Sequence, residues 1–403
     1  MTEPGNKVTT RTTTARDALP TELVQQLQWL GRQPRPAAPP GAVGVLCDRV
    51  LAYAGPQHVA SVLPVLRGTG SGLVVAGPRP GKPMPRAADF DYDGPIVLDP
   101  DAYGYHRATR DQPFLLPRGG FAGTNPTLDD VLDAQLRAGY AVACTPTGYI
   151  GAGDTAALLA AAQQVKALNR TDTLFVVALE VSLLDRTFFD QTRAILQDAG
   201  HPVALVLGIK QGDPLTHSKR IIPNLRLLAA TVPLMPIRTD FNALDLMAHG
   251  AFAAAIGTGG SVRHAVPPPR KPMAFVRDAS PSVLVPELMC WWKGSKIAML
   301  CGAAPSRSPR CSCNVCQNQP LTRFKYKEDQ PEAIAHAATA WQNIAAGMLS
   351  QATMRERAEY WRNICKGAVN EHQMLANRVR QVDPLPVQKP LEQWAELPAW
   401  RTA

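Results

Sequence analysis

The sequence predicts an α/β protein: a (β/α)8 barrel followed by a metal-binding segment and helices. Three observations point there. Eight short apolar runs follow one another and end in Gly, Pro, Asp or Thr. Helix-like intervals separate most of them. A tight cysteine cluster, Cys311, Cys313 and Cys316, comes after the eighth run. Residues 1–40 read as a flexible leader, 41–300 as the barrel, 301–382 as a zinc-binding segment with basic helices, and 383–403 as a Pro-rich tail.

The leader holds one short amphipathic helix around 22–30. The apolar runs are 43–52, 72–76, 95–98, 141–144, 173–179, 202–208, 232–237 and 253–256. Helical patterning covers 58–66, 128–138, 154–168, 186–199 and 242–249. Near-continuous apolar strands are what a parallel sheet covered on both faces requires. Eight βα units in series suggest a closed barrel. A doubly wound open sheet is the alternative.

Composition narrows the class. Charged residues are 19% of the chain and hydrophobic residues 45%, which suits a folded protein with a large core. The 37 prolines cluster near both ends and at Pro267, Pro268 and Pro269, as loops and linkers do. No apolar run reaches the ~18–20 residues of a membrane-spanning helix, so no membrane is expected. The stretch from Met1 to Arg16 lacks an apolar signal core, and a cytoplasmic protein with reduced cysteines is the expectation. A net charge of +9 suits a polyanionic partner such as nucleic acid, or serves solubility alone.

In a barrel the chemistry gathers where strands end. Those positions hold Asp99, Asp101 and Tyr103, then Thr145 and Thr147, Glu180, and Gly208 with Lys210 and Gln211. Arg238 and Asp240 follow the seventh run, and Gly257, Thr258, Gly259, Gly260 and Ser261 follow the eighth, with Arg263 close behind. Each has a plainer reading. A strand-end aspartate commonly caps the next helix, as Asp240 would cap one beginning near Asn242. The Gly-rich stretch is either a tight turn or a phosphate cradle, since loops after the last two strands of such barrels often bind phosphate on backbone N–H groups.

Three thiolates within six residues can wrap one ion, and soft sulfur ligands select Zn2+ in a reducing compartment. Tetrahedral closure needs a fourth ligand. His336, in a helix-forming stretch, is the first candidate and His372 the second. The other five cysteines read as buried apolar residues.

This segment resembles the C-x-C-x-x-C segment near the C-terminus of tRNA-guanine transglycosylases, which includes a DNA-modifying deazaguanine branch. The resemblance implies a (β/α)8 fold, a structural zinc on Cys311, Cys313, Cys316 and His336, and exchange of guanine for a deazaguanine base in tRNA or DNA. The family uses two aspartates. Asp99 is nearest to the acid/base position, with Asp101 as the alternative, and Tyr103 matches the aromatic residue that stacks on the base. Aligned on Gly250, the nucleophile position falls on Ala255, which cannot attack; a relocated acid, Asp240, would replace it. Tyr103, Gly208, Arg238, Gly257, Thr258, Gly259 and Arg263 would contact substrate.

Three functions stay open: a transglycosylase with relocated acids, a non-catalytic nucleic-acid-binding or partner subunit in an oligomer, and a barrel enzyme on a phosphorylated small molecule. The stretch from Arg307 to Arg380 interleaves Arg323, Lys325, Lys327, Arg355, Arg357, Arg362, Lys366 and Arg378 with Phe324, Tyr326, Tyr360 and Trp361. It reads either as a nucleic-acid surface or as solvated helix faces over buried aromatics.

Overall fold

The computed structural model describes residues 19–66, 69–117, 125–269, 278–302, 305–379 and 385–400. All eight apolar runs contain strands: β1 (Arg49–Ala54), β2 (Leu73–Ala76), β3 (Ile96–Asp99), β4 (Ala143–Cys144), β5 (Thr173–Glu180), β6 (Val203–Gly208), β7 (Leu234–Pro236) and β8 (Ala253–Gly257). Only the first is displaced. Its leading half forms a 3-10 turn, Gly41–Leu46, because Gly41 takes φ +67 with no room for a side chain against Thr171. The helices are α1 (Thr21–Gly31), α2 (Val59–Val62), α3 (Leu128–Arg137), α4 (Thr155–Ala167), α5 (Phe189–Asp198), α6 (Ile221–Thr231) and α7 (Asn242–Met247). The 186–199 pattern starts its helix at Phe189. Sequence patterning passed over α6, whose Pro223 sits in the first turn, where a missing N–H costs nothing.

The strands form two parallel four-stranded sheets, ordered β3-β2-β1-β8 and β4-β5-β6-β7. Backbone hydrogen bonds join the sheets at both edges: Ala141 N to Ile96 O at 2.9 Å, Phe252 N to Leu234 O at 2.9 Å, and Gly257 N to Thr239 O at 2.8 Å. One face of every strand packs into a single cluster that includes Leu51, Tyr53, Val74, Val97, Cys144, Val176, Val206, Met235 and Ala255. The alternate residues, such as Val50, Val75, Leu98, Val177, Leu205 and Ile256, pack against the helices. This period of two with both faces apolar explains the unbroken apolar runs.

The boundary expected at 300 falls inside a packed unit. A hairpin of β9 (Ser282–Val285) and β10 (Cys290–Lys293), helix α8 (Gly294–Cys301), and the short pair β11 (Arg310–Cys311) and β12 (Gln319–Pro320) share one core with Leu321, Phe324 and Ala333. Helix α9 (Gln330–Leu349) packs on β9, α2 and β1, and α10 (Met354–Arg378) packs on α9, α7 and α1. Thr353 and Glu356 form a capping box at the start of α10.

Neither end of the described chain is loose. The helix expected around 22–30 is α1, and it buries Leu23, Leu27 and Leu30 in the main core. The Pro-rich tail includes α11 (Lys389–Glu396), which buries Leu391 and Trp394. Arg226 Nη1 donates to Pro398 O at 3.1 Å, and Trp400 Nε1 to Leu27 O at 3.2 Å. Residues 1–18 and 401–403, with Arg380, lie outside the described residues. Among the described residues no helix is long and apolar enough to cross a membrane.

Candidate functional site

The metal cluster is built locally. The loop between β11 and β12 turns so that Cys313 N points at Cys311 Sγ and Cys316 N at Cys313 Sγ, each at 3.4 Å. His336, one and a half turns into α9, brings its Nδ1 to 3.2 Å from Cys316 Sγ and 3.5 Å from Cys313 Sγ. The four donor atoms lie within 4.8 Å of one another and all four residues are buried. The other ring nitrogen, Nε2, is 2.7 Å from Leu284 O. Donation there would fix the tautomer that leaves Nδ1 free as a ligand. Arg323 Nη2 donates to Cys316 Sγ at 3.4 Å, ion-pairs with Glu332 at 2.6 Å and lies over Phe324. This Cys3His set can hold a metal ion, and its donors are consistent with zinc. His372 takes no part: its Nε2 is 3.2 Å from Leu288 O.

At the C-terminal ends of the strands the acids divide into two groups. The first is closed. Asp99 is wholly buried, with Oδ2 accepting from Tyr53 at 2.7 Å and Tyr103 at 2.5 Å, and Oδ1 from Asp101 N at 2.9 Å. Asp101 pairs with Arg238 at 2.7 Å, and the side chains are 7% and 5% exposed. Arg238 also donates to Ser261 O at 2.9 Å and to His264 O at 3.2 Å. Asp101 and Arg238 sit at φ +52 and φ +51, left-handed conformations that side chains adopt only when their surroundings hold them there. Burial, then the charge of Asp101, raises the Asp99 pKa; hydrogen bonds from Tyr103 and Tyr53 oppose the rise. Burial, then the charge of Asp99, pushes both tyrosines well above their usual range.

The second group lines a cleft of about 220 Å³ with Leu207, Gly212, Pro214, Leu215, Thr239 and Gly260. Its charged and titratable members are Asp213, Asp240, Arg263 and His264. Asp240 Oδ1 accepts from Asn242 N at 3.0 Å and Asp213 Oδ1 from Leu215 N at 2.9 Å. Asp240 thus does steady the start of α7, but with one oxygen only. Among the described residues neither carboxylate has a cation within 4.0 Å. Burial, then the charge of Asp240, pushes the Asp213 pKa up to about 6. Burial also raises Asp240. Arg263 stacks on Trp291, 3.9 Å from the ring centroid, and its Nη2 is shut off from solvent with no partner. Burial lowers the Arg263 pKa to about 10 against the pull of Asp240.

Asp99 and Asp101 do not line this cleft. The expectation that one of them opposes Asp240 across a common pocket therefore fails, because two tyrosines and Arg238 have taken their oxygens. Tyr103 is buried in the same closed group, so it presents no open face for a base. Gly208 packs under Tyr149, where a Cβ would come within 2.4 Å of the ring. The Gly-rich stretch is partly committed: Gly257 N donates to Thr239 O and Thr258 N to Tyr53 O, which leaves only the later N–H groups for an anion. Gly259 is open, and a Cβ there would meet nothing within 4 Å. Ala255 is wholly buried in the interior cluster, and two residues along β8 a Cβ on Gly257 would lie 2.0 Å from Val262 O. Asp213 and His264 were missed. The signal for Asp213 was an acid within five residues of a strand end.

The basic stretch is largely committed as well. Arg357 grips Asp48 through both ends of its guanidinium at 2.6 and 2.9 Å, Arg362 donates to Ala395 O, and Arg378 pairs with Glu371. Phe324 and Trp361 are fully buried. Arg307, Arg310, Lys325, Tyr326 and Lys327 stay exposed around the metal loop. Among known proteins, no family model, no curated protein and no solved structure matches the chain.

Proposed function

We propose that the two sheets are halves of one (β/α)8 barrel, that the Cys3His cluster holds a structural zinc, and that the protein is a transglycosylase-like enzyme acting on a base in tRNA or DNA. The hydrogen bonds at both sheet edges and the shared inner cluster support the barrel. The zinc would tie the β9–β10 hairpin, through Leu284 and His336, to α9.

One observation carries the catalytic reading: Asp240 stands at the end of β7 in a cleft, with its Oδ1 on Asn242 N and, among the described residues, no ion pair within 4.0 Å. Breaking an N-glycosidic bond builds positive charge at C1′, which such a carboxylate stabilises or captures. Asp99, Asp101, Tyr103 and Arg238 act as the framework that holds the seventh and eighth strand ends in place. Arg263 offers a donor for a base carbonyl or a phosphate. Nucleic acid would reach the site across the exposed basic residues around Tyr326.

A second reading is favoured by Ala255: the strand-eight carboxylate is gone, as in a subunit that binds substrate for a catalytic partner. The small-molecule phosphate reading is weaker, since two of the loop N–H groups are already bonded. The test is incorporation of labelled guanine or deazaguanine into tRNA and into duplex DNA. Exchange by the isolated protein supports the enzyme. Oligonucleotide binding without exchange under any condition supports the partner subunit.

A further inference from the structure

The cleft holds two acids that come from different loops. Asp213 lies five residues past β6, and Asp240 lies four past β7. Both line the same space; Asp213 Oδ1 accepts from Leu215 N and Asp240 Oδ1 from Asn242 N. We propose that Asp213 is the second carboxylate of this reaction centre and that it holds one proton jointly with Asp240, so that an acid and a base face the same ligand. The proposal rests on the reading of the cleft as the reaction centre.

The physical ground is charge. Two carboxylates in a partly dry cleft cannot both ionise cheaply, so one keeps its proton while the other stays charged. The other charged or titratable groups on the cleft are Arg263 and His264. Arg263 stabilises one negative charge there and comes no closer than the ion-pair limit to either acid, while burial, then the charge of Arg238, lowers the pKa of His264 against the pull of Asp240. Its partnerless Nη2 marks a place left for a ligand oxygen. The raised proton affinity of Asp213, to which burial and then the charge of Asp240 contribute, fits the shared proton.

The pair suits base exchange because the reaction returns every proton. The C1′–N bond breaks and its electron pair goes to the leaving ring nitrogen, which takes the proton of the carboxylic acid. The carboxylate faces the cation at C1′. The incoming base then forms the new C1′–N bond and gives its N–H proton to a carboxylate, restoring the pair.

Carboxyl-carbon NMR of 13C-aspartate-labelled protein tests the shared proton without needing activity. In the wild type, Asp213 and Asp240 should titrate together in two steps, the upper one above the ordinary carboxyl range. In Asp240→Asn the Asp213 midpoint should fall by at least one pH unit; in Asp213→Asn the Asp240 midpoint should fall likewise. Unmoved midpoints in both variants overturn the pair. The pH profile of exchange separates this from the broader reading: Asp213→Asn should lower the rate at least tenfold and remove one limb. A full rate with coupled midpoints would leave the acids paired but overturn Asp213 as catalytic. No exchange in the wild type would sink the transglycosylase reading while the midpoints still decide the pair.

Discussion

The two acid groups at the strand ends are built from the same residue types and behave in opposite ways. Around Asp99 every oxygen has its donor: two tyrosines, a backbone N–H and, through Asp101, an arginine held in a left-handed turn. Around Asp240 and Asp213 each carboxylate keeps an oxygen free, and the neighbouring arginine keeps a free nitrogen. Buried polar groups are normally satisfied, so the closed network reports on folding, while the half-buried acids of the second group stay open to solvent or to a ligand. Arg238 and Asp240 stand two residues apart on one strand end, yet one closes the first group and the other opens the second.

The metal cluster is a third group and extends the contrast, since its donors converge on one point. Cys313→Ser, or a strong chelator, should remove the metal and unfold the segment built on it, a loss on the order of 10 kcal/mol of metal-binding free energy. Elemental analysis should find about one zinc per wild-type chain; metal content and melting temperature unchanged in the variant would break the assignment. Within the strand ends, Arg238→Met should cost about 3–5 kcal/mol, because it breaks a buried ion pair with Asp101 and the hydrogen bonds to Ser261 O and His264 O, whereas Arg263→Met should cost about 1 kcal/mol or less. Denaturant melts of the two variants measure this, and equal losses would erase the distinction between the groups.

A smaller effect follows from Asp213. Its pKa is raised from the ordinary value to about 6, so its ionisation opposes folding. The cost is absent below the unfolded pKa of 3.8, grows as pH rises, and is complete above about 6. Asp213→Asn should therefore stabilise the protein above pH 6 by on the order of 1–3 kcal/mol and leave it unchanged below pH 4. A melt series across that window decides it, and a pH-independent gain would show that charge is not the cause. The smallest effect concerns the partner. Binding of oligonucleotides should weaken steeply with salt, and Lys325→Ala with Lys327→Ala should lower the log–log slope by about one per lost phosphate contact. A slope unchanged in the double variant would move the contact surface elsewhere.

How much of this was legible in the sequence depends on range. The eight strands were readable because parallel strands covered on both faces leave unbroken apolar runs, and only the 43–46 stretch misled, apolar because Val43 and Leu46 plug the inner cluster from a turn. The metal cluster was readable because three ligands fall within six residues and the fourth sits in the second turn of the helix that follows. The cleft was only half readable. Asp240 and Arg263 could be placed near strand ends, but Asp213 and His264 come from loops after β6 and β8, and nothing local marks which loop side chains meet. The sealing of Asp99 was likewise invisible, because Tyr53 and Arg238 reach it from 46 and 137 residues' separation at Asp99 and Asp101.

The most direct test of the account sets Asp240→Asn beside wild type in the guanine-exchange assay, with melting temperature and zinc content measured on the same samples. If the open cleft is the reaction centre, Asp240→Asn should lower exchange by at least about 100-fold while zinc and melting temperature stay at the wild-type level. Exchange that survives at the wild-type rate without the Asp240 carboxylate would contradict it.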